Sequence, residues 1–253
     1  MDGKSNKICK YQLKTSIKPI LIYYSILIGV LLLILIEKFM SQNSNVQSSG
    51  IEMSTAIFIF VMALNSFKSS FYFSQGNNIS RNSFIIGTIK AGIIMAAALS
   101  LIDVIINRIY NIFIICPTNF DMIYTKAIYS IDTSWEPILT HSIFNSFGTC
   151  IWTFAVYVFL FMLGLLITII YFRLNKLGQI VLSFFPVILI VVTSGFYSYI
   201  PTGVWEFIKN AFGINTKNPY IAILTFIILS ILAIAGQYLL IKKQLQIKIN
   251  RKQ

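Results

Sequence analysis

The chain has 253 residues, 57% of them hydrophobic and 11% charged, with a formal net charge of +12 and a mean hydropathy of +0.78. Soluble domains carry about 25% charged residues, so this balance excludes an ordinary water-soluble fold and is that of a chain dissolved in lipid. The positive charge gathers beside apolar stretches, where it sets topology, which excludes reading it as a nucleic-acid surface.

A hydrocarbon core about 30 Å thick needs roughly 20 apolar residues per helical crossing. Six stretches qualify: Pro19–Ile36, Ile51–Phe73, Phe84–Ile106, Ser142–Phe172, Ile180–Ile200 and Tyr220–Ile241. The expected fold is an all-α polytopic membrane protein with six transmembrane helices, read as a single domain over 1–253.

Residues 1–18 carry Lys4, Lys7, Lys10, Lys14 and Lys18. At about 100° per residue the last four cluster on one arc, beside an arc holding Cys9, Leu13, Ile17 and Ile20. That pattern predicts an N-terminal amphipathic interfacial helix in the inner headgroup layer. The alternative is a positive-inside signal without a fixed helix. The first span is expected to stay as an anchor. Its apolar run exceeds a signal-peptide h-region, and the polar segment 41–50 after it offers no small-residue cleavage site.

Lys68, Arg81 and Lys90 flank the connection between the second and third spans, and Arg173 and Lys176 that between the fourth and fifth. Lys242, Lys243, Lys248, Arg251 and Lys252 form a basic tail over 242–253. These fifteen of the twenty Lys and Arg residues lie on one side only if both termini are cytoplasmic. Lys38, Arg108, Lys126, Lys209 and Lys217 fall in the other loops, with Glu37, Glu52, Asp121, Asp132, Glu136 and Glu206.

In the second-to-third connection, Gly76-Asn77-Asn78 signals a turn, and Ser80 or Asn82 is placed to cap the next helix. Thr88, Gly92, Ala96 and Ser100 form a row of small residues at four-residue spacing, a helix-packing surface in lipid. Asp103 and Asn107 continue that side. Asp103 reads either as a functional intramembrane polar site or as a structural partner for Arg108 or for a polar group on a neighbouring helix. The loop from Asn107 to His141 holds Pro117, Asp132, Trp135, Glu136 and Pro137. Pro186 is expected to kink the fifth span. Val204, Phe207, Ile208, Ala211 and Phe212 share one helical face, which predicts an external amphipathic helix between spans five and six.

The chemistry-bearing motifs are missing. There is no phosphate-binding G-x-x-x-x-G-K-[ST] loop and no G-x-S-x-G elbow. Ser194-Gly195 is only a fragment of a serine-protease motif. His141 is the sole histidine, and the pattern His141–Asn145 lacks the companions that a membrane-embedded glutamate protease requires. Cys9, Cys116 and Cys150 form no C-x-x-C pair, so metal sites of the common kinds are not expected and three free thiols are. Apart from Asp103 and Lys90, hardly an ionisable group lies well inside a span, which disfavours an ion-coupled carrier.

The order of elements around Gly76-Asn77-Asn78-Ile79-Ser80-Arg81-Asn82-Ser83-Phe84 resembles the permease subunits of type-2 ABC transporters, particularly small bacterial ones. The resemblance covers the whole length as architecture. The quoted stretch looks like that family's glycine–turn–Ser-Arg segment, departing from it at Asn82, where a basic residue is usual. The resemblance implies that this link is a coupling helix, with Asn78, Ile79, Ser80 and Arg81 contacting a cytoplasmic ATP-binding cassette subunit. The alternative for Arg81 is topology alone. It further implies a second permease copy or homologue as partner, contact with membrane lipid and no nucleic acid. ATP and Mg would be held by the separate ATPase, with no cofactor and no catalysis on this chain. The cargo would be a peptide, drug or lipid-like molecule exported across the cell membrane. The alternative is a membrane immunity or sensor protein that binds an antimicrobial peptide without transporting it.

Overall fold

The computed structural model describes residues 2–41, 48–124, 143–184 and 202–250. Among these the secondary structure is helical, with no strand. The long helices are α1 (Asp2–Ser41), α2 (Ile51–Gly76), α3 (Arg81–Tyr110), α5 (Ile143–Tyr171) and α8 (Pro219–Asn250). Shorter ones are α4 (Asn119–Tyr124), α6 over 176–184, and α7 (Thr202–Ala211). Among the described residues, five helices are long and apolar enough to cross a membrane, as expected of a membrane protein. Most of the predicted fifth span, with Pro186 and Ser194-Gly195, lies outside the described residues, as do Asp132, Trp135, Glu136, Pro137 and His141.

The first correction concerns α1. The lysine-rich segment and the first span form one helix of 40 residues with Pro19 inside it, not an interfacial helix followed by a separate span. Much of the predicted apolar stripe packs on protein rather than lipid: Ser5, Ile8, Cys9, Gln12 and Ser16 are buried and Leu13 and Ile20 lie against the core, while Ile17 is 54% exposed, as a lipid-facing residue is. The buried stripe includes Gln12 and Ser16 because it packs on protein. Gln12 Nε2 donates to Thr88 Oγ1 at 2.8 Å, and Tyr11 stacks on Phe73 at 4.4 Å between centroids. Lys4, Lys7, Lys10, Lys14 and Lys18 remain exposed.

Side-chain pairs give the direction of each helix. Gln12–Thr88, Tyr24–Asp103 and Lys38–Phe113 rise together, so α1 and α3 run parallel. Tyr11–Phe73 and Tyr23–Phe58 make α2 antiparallel to α1. Thr168 Oγ1 donates to the Leu64 carbonyl and Tyr157 lies beside Glu52, so α2 and α5 are parallel. The pairs Trp152–Phe226 and Met162–Gln237 make α5 and α8 parallel too. One end of the bundle therefore carries the start of α1, Arg81 and Arg173; we call it the basic end. The far end carries α4, α7 and the start of α8, joined through Tyr124 Oη, which donates to the Phe212 carbonyl at 2.7 Å.

The small-residue row on α3 is buried along its length: Thr88 2%, Ala96 0% and Ser100 1% exposed. At Gly92 a β-carbon would fall inside the ring of Phe161, and at Gly87 it would meet the Ser5 carbonyl at 2.7 Å. These close approaches let α3 pack on α1 with one side and on α5 with the other, as lipid-embedded helices require. Gly92→Ala is expected to destabilise the bundle by about 1–3 kcal/mol through overpacking. Adding Phe161→Ala should recover part of that loss, so that the pair is non-additive. Detergent-micelle unfolding of the single and double variants measures it.

Candidate functional site

Two places concentrate polar groups. The first is the link at the basic end. Asn78 takes a left-handed backbone (φ 55°), a conformation asparagine tolerates better than most residues. The Ile79 amide donates to the Ser74 carbonyl at 3.0 Å and the Asn78 amide to that of Gln75 at 3.1 Å, the paired bonds of a Schellman cap. Ile79 turns inward against the hydrophobic core. Ser80 then caps α3, its Oγ accepting from the Ser83 amide at 3.2 Å, while Asn82 is exposed and does not cap. Four residues, Asn77 to Ser80, thus join two helices of 26 and 30 residues. The coupling helix implied by the resemblance is not there; the link is a capped turn. Asn78 and Ser80 are exposed, and Ile79 and Arg81 are half-buried.

The second place is the centre of the far half. Asp103 is 0% exposed. Tyr24 Oη donates to Asp103 Oδ1 at 2.8 Å, and Tyr157 Oη donates to Oδ2. Helices α1, α3 and α5 meet at this carboxyl group, and Thr55 of α2 bonds it as well. The Tyr157 hydroxyl also lies 3.2 Å from the Glu52 carbonyl. It has one proton to give, and the closer acceptor is Asp103. Beside it, Tyr23 Oη of α1 sits 2.9 Å from both Ser54 Oγ and Thr55 Oγ1 of α2.

From there the polar groups run outward. Glu52, 3% exposed, accepts from the amide of Asn119 at 3.3 Å and from its Nδ2 at 3.4 Å. Arg108 does not reach Asp103. Its guanidinium pairs with Asp121 at 3.4 Å and donates to Ser146 and Thr149. Of the two structural readings of Asp103, the partner is therefore not Arg108 but polar groups on neighbouring helices. Asn107 proves to be a loop anchor: its Nδ2 donates to the Cys116 carbonyl at 3.0 Å, while its Oδ1 accepts from Asn111. The three cysteines are free.

Sequence reasoning found Asp103 but missed Tyr24 and Tyr157, which stand 79 and 54 residues from it. Within an apolar span a tyrosine reads as one more hydrophobic residue. Among the described residues, no group of three or more His, Cys, Asp and Glu side chains is placed to hold a metal ion. A fully satisfied aspartate with two phenol donors has the form of a structural tie between helices. No family model, no curated protein and no solved structure matches the chain.

Two outcomes are expected. Tyr157→Phe removes one of the donors to a buried carboxyl group, at a cost of about 1–3 kcal/mol. Pairing it with Asp103→Asn should be strongly non-additive in micelle unfolding, because the two residues share one interaction. At the far-end loop, burial pushes the Cys116 thiol up to about 11. The thiolate is the nucleophile, so at neutral pH Cys116 holds about a hundredfold less of it than an ordinary thiol. Maleimide labelling of the folded protein should be correspondingly slow and rise about tenfold per pH unit until the thiol titrates. Rapid labelling at pH 7 would contradict the burial.

Proposed function

We propose that this chain is the membrane-spanning subunit of an ATP-driven exporter of the type-2 ABC class, powered by a separate ATP-binding cassette subunit. The cargo class is a peptide, drug or lipid-like molecule. The working unit contains a second permease copy or homologue in the cell membrane.

Six crossings with cytoplasmic termini are supported by the helix directions. Because α5 and α8 are parallel, the chain leaves α5 at the basic end and must be back at the far end before α8 starts. A return crossing between them fits the apolar stretch Ile180–Ile200. The basic end is then cytoplasmic by the positive-inside rule.

The observation that carries the proposal is the form of the link. A four-residue turn locked by two caps cannot absorb a push, so a force applied at Asn78–Arg81 passes into α2 and α3 together. The first turns of α1 lie beside it, through Tyr11 on Phe73 and Lys90 Nζ on Asn6 Oδ1 at 3.2 Å. They extend the docking surface with exposed lysines. The turn and the first residues of α3, in place of a separate coupling helix, are the contact.

A second reading, a non-transporting immunity or sensor protein, is favoured by α7. None of its residues is buried, and Phe207 is 72% and Val204 46% exposed, an apolar face suited to an incoming amphipathic peptide or to the membrane surface.

Co-expression with candidate ATP-binding subunits and purification in mild detergent separates the two readings. The exporter reading expects co-elution. It also expects Arg81→Glu to lower permease-stimulated ATP hydrolysis by about tenfold or more, as for a charge reversed at an interface, with membrane insertion unchanged and Arg81→Lys largely active. If no ATP-binding subunit co-elutes, the proposal fails.

A further inference from the structure

A cavity of about 200 Å³ opens at the basic end between α2, α5 and α8. Its walls include Phe67, Phe71, Tyr72, Phe172 and Ile241, and its one charged side chain is Lys68. The rings form a continuous apolar wall: Phe67 stands 5.3 Å from Phe71 and 5.6 Å from Phe172 between centroids. Beside it, Arg173 Nη1 donates to the Leu240 carbonyl at 3.2 Å, fixing a second cation at the rim.

We propose that this cavity binds one anionic phospholipid from the leaflet at the basic end, its phosphate on Lys68 and its first acyl carbons against the aromatic wall.

Depth is the first argument. Lys68 lies eight residues before Gly76, about 12 Å along the helix axis. Helix α2 is about 39 Å long, some 9 Å more than the hydrocarbon core it crosses. Lys68 therefore roots just inside the hydrocarbon boundary, and its ammonium reaches up to the phosphate level as long lysine side chains do. A ligand here must offer an anion and a hydrocarbon chain a few ångströms apart, as a phospholipid does.

Charge is the second. Among the described residues, Lys4, Lys7, Lys10, Lys14, Lys18, Lys68, Arg81, Lys90, Arg173 and Lys176 belong to this end, and of the acidic ones only Asp2 does. Those residues offer almost no anion to set against Lys68, Arg173 and their neighbours. A zwitterionic lipid brings a cation with its phosphate and relieves little of this excess. An anionic lipid relieves it directly.

The inference does not depend on the exporter reading. The test uses the purified full chain in mild detergent and native mass spectrometry, with phosphatidylglycerol and phosphatidylcholine of identical acyl chains. One phosphatidylglycerol should be retained in clear preference. Retention should fall roughly fivefold in Lys68→Met and about thirtyfold in Lys68→Glu, from the charge change near a lipid surface. Phe172→Trp, which narrows the cavity at a partly exposed position, should lower it too. Lys10→Glu, the same reversal at the same end but away from the cavity, should leave it unchanged. Equal retention of the two lipids, an unaffected Lys68→Glu, or an equal loss in Lys10→Glu would each overturn the proposal. So would displacement by glycerol phosphate as effective as by the lipid, since the cavity would then bind a free anion.

Discussion

Asp103 is the point at which this bundle cannot be rearranged cheaply. A carboxyl group with no access to solvent must find its hydrogen bonds inside the protein. Here both oxygens are taken by tyrosines on different helices. Moving α1 or α5 away from α3 by even a few ångströms would strand a buried polar group, a larger loss than that of a few apolar contacts, since lipid tails replace apolar contacts readily. The small residues on α3 serve the same end. Gly92 admits Phe161, about one turn along α5 from Tyr157, and Thr88 takes the Gln12 amide on the α1 side. The core of four helices, α1, α2, α3 and α5, is fixed in its far half by polar ties and along α3 by close approach.

The two ends of the bundle solve different problems. At the far end, acids and their partners are buried together. Arg108 holds Asp121, and Glu52 holds Asn119, so α4 is bound to the tops of α2, α3 and α5. At the basic end the lysines before α1's proline stay exposed, and ring contacts, Tyr11 on Phe73 and Phe67 against Phe84 and Phe172, stand beside a few polar ties such as Gln12 to Thr88. Such ring contacts are not tied to one proton acceptor and tolerate sliding better than an aspartate with two donors.

How much of this the sequence discloses depends on the range of each interaction. Apolar runs and charge placement are local, and they locate α2, α3, α5 and the start of α8 to within a few residues, while α8 runs nine residues past the apolar stretch. The turn at Asn77–Asn78 and the cap at Ser80 are local as well, and both were readable. What fails is anything set by a distant partner. The lysine-rich segment looked amphipathic toward lipid because Leu13 and Ile17 are apolar. The face that packs contains Gln12 and Ser16, whose burial makes sense only once Thr88 is known to lie opposite. Asp103 announced a polar tie without naming its partners, and the nearest candidate in sequence, Arg108, was the wrong one. It is five residues further along the same helix, 140° round from Asp103 at 100° per residue, and so faces Asp121 and Thr149.

Helix α2 links the two ends. Its first turn carries Glu52, whose backbone carbonyl lies beside Tyr157 and whose carboxylate holds α4. Its last turns carry Lys68 and the ring wall of the cavity, and it ends in the Schellman-capped link to α3. A continuous helix is stiff along its axis, and this one has no proline within it. Whatever engages the link at Asn78–Ser80 therefore acts, through one rigid element, on the lipid-facing cavity and on the far-end cluster around Glu52. Because Tyr157 stands between Glu52 and Asp103, an axial shift of α2 has to be carried by α5 as well or else cost the Tyr157 contact. The parallel packing of α2 and α5, with Thr168 bonded to the Leu64 carbonyl lower down, makes their joint movement the less expensive course.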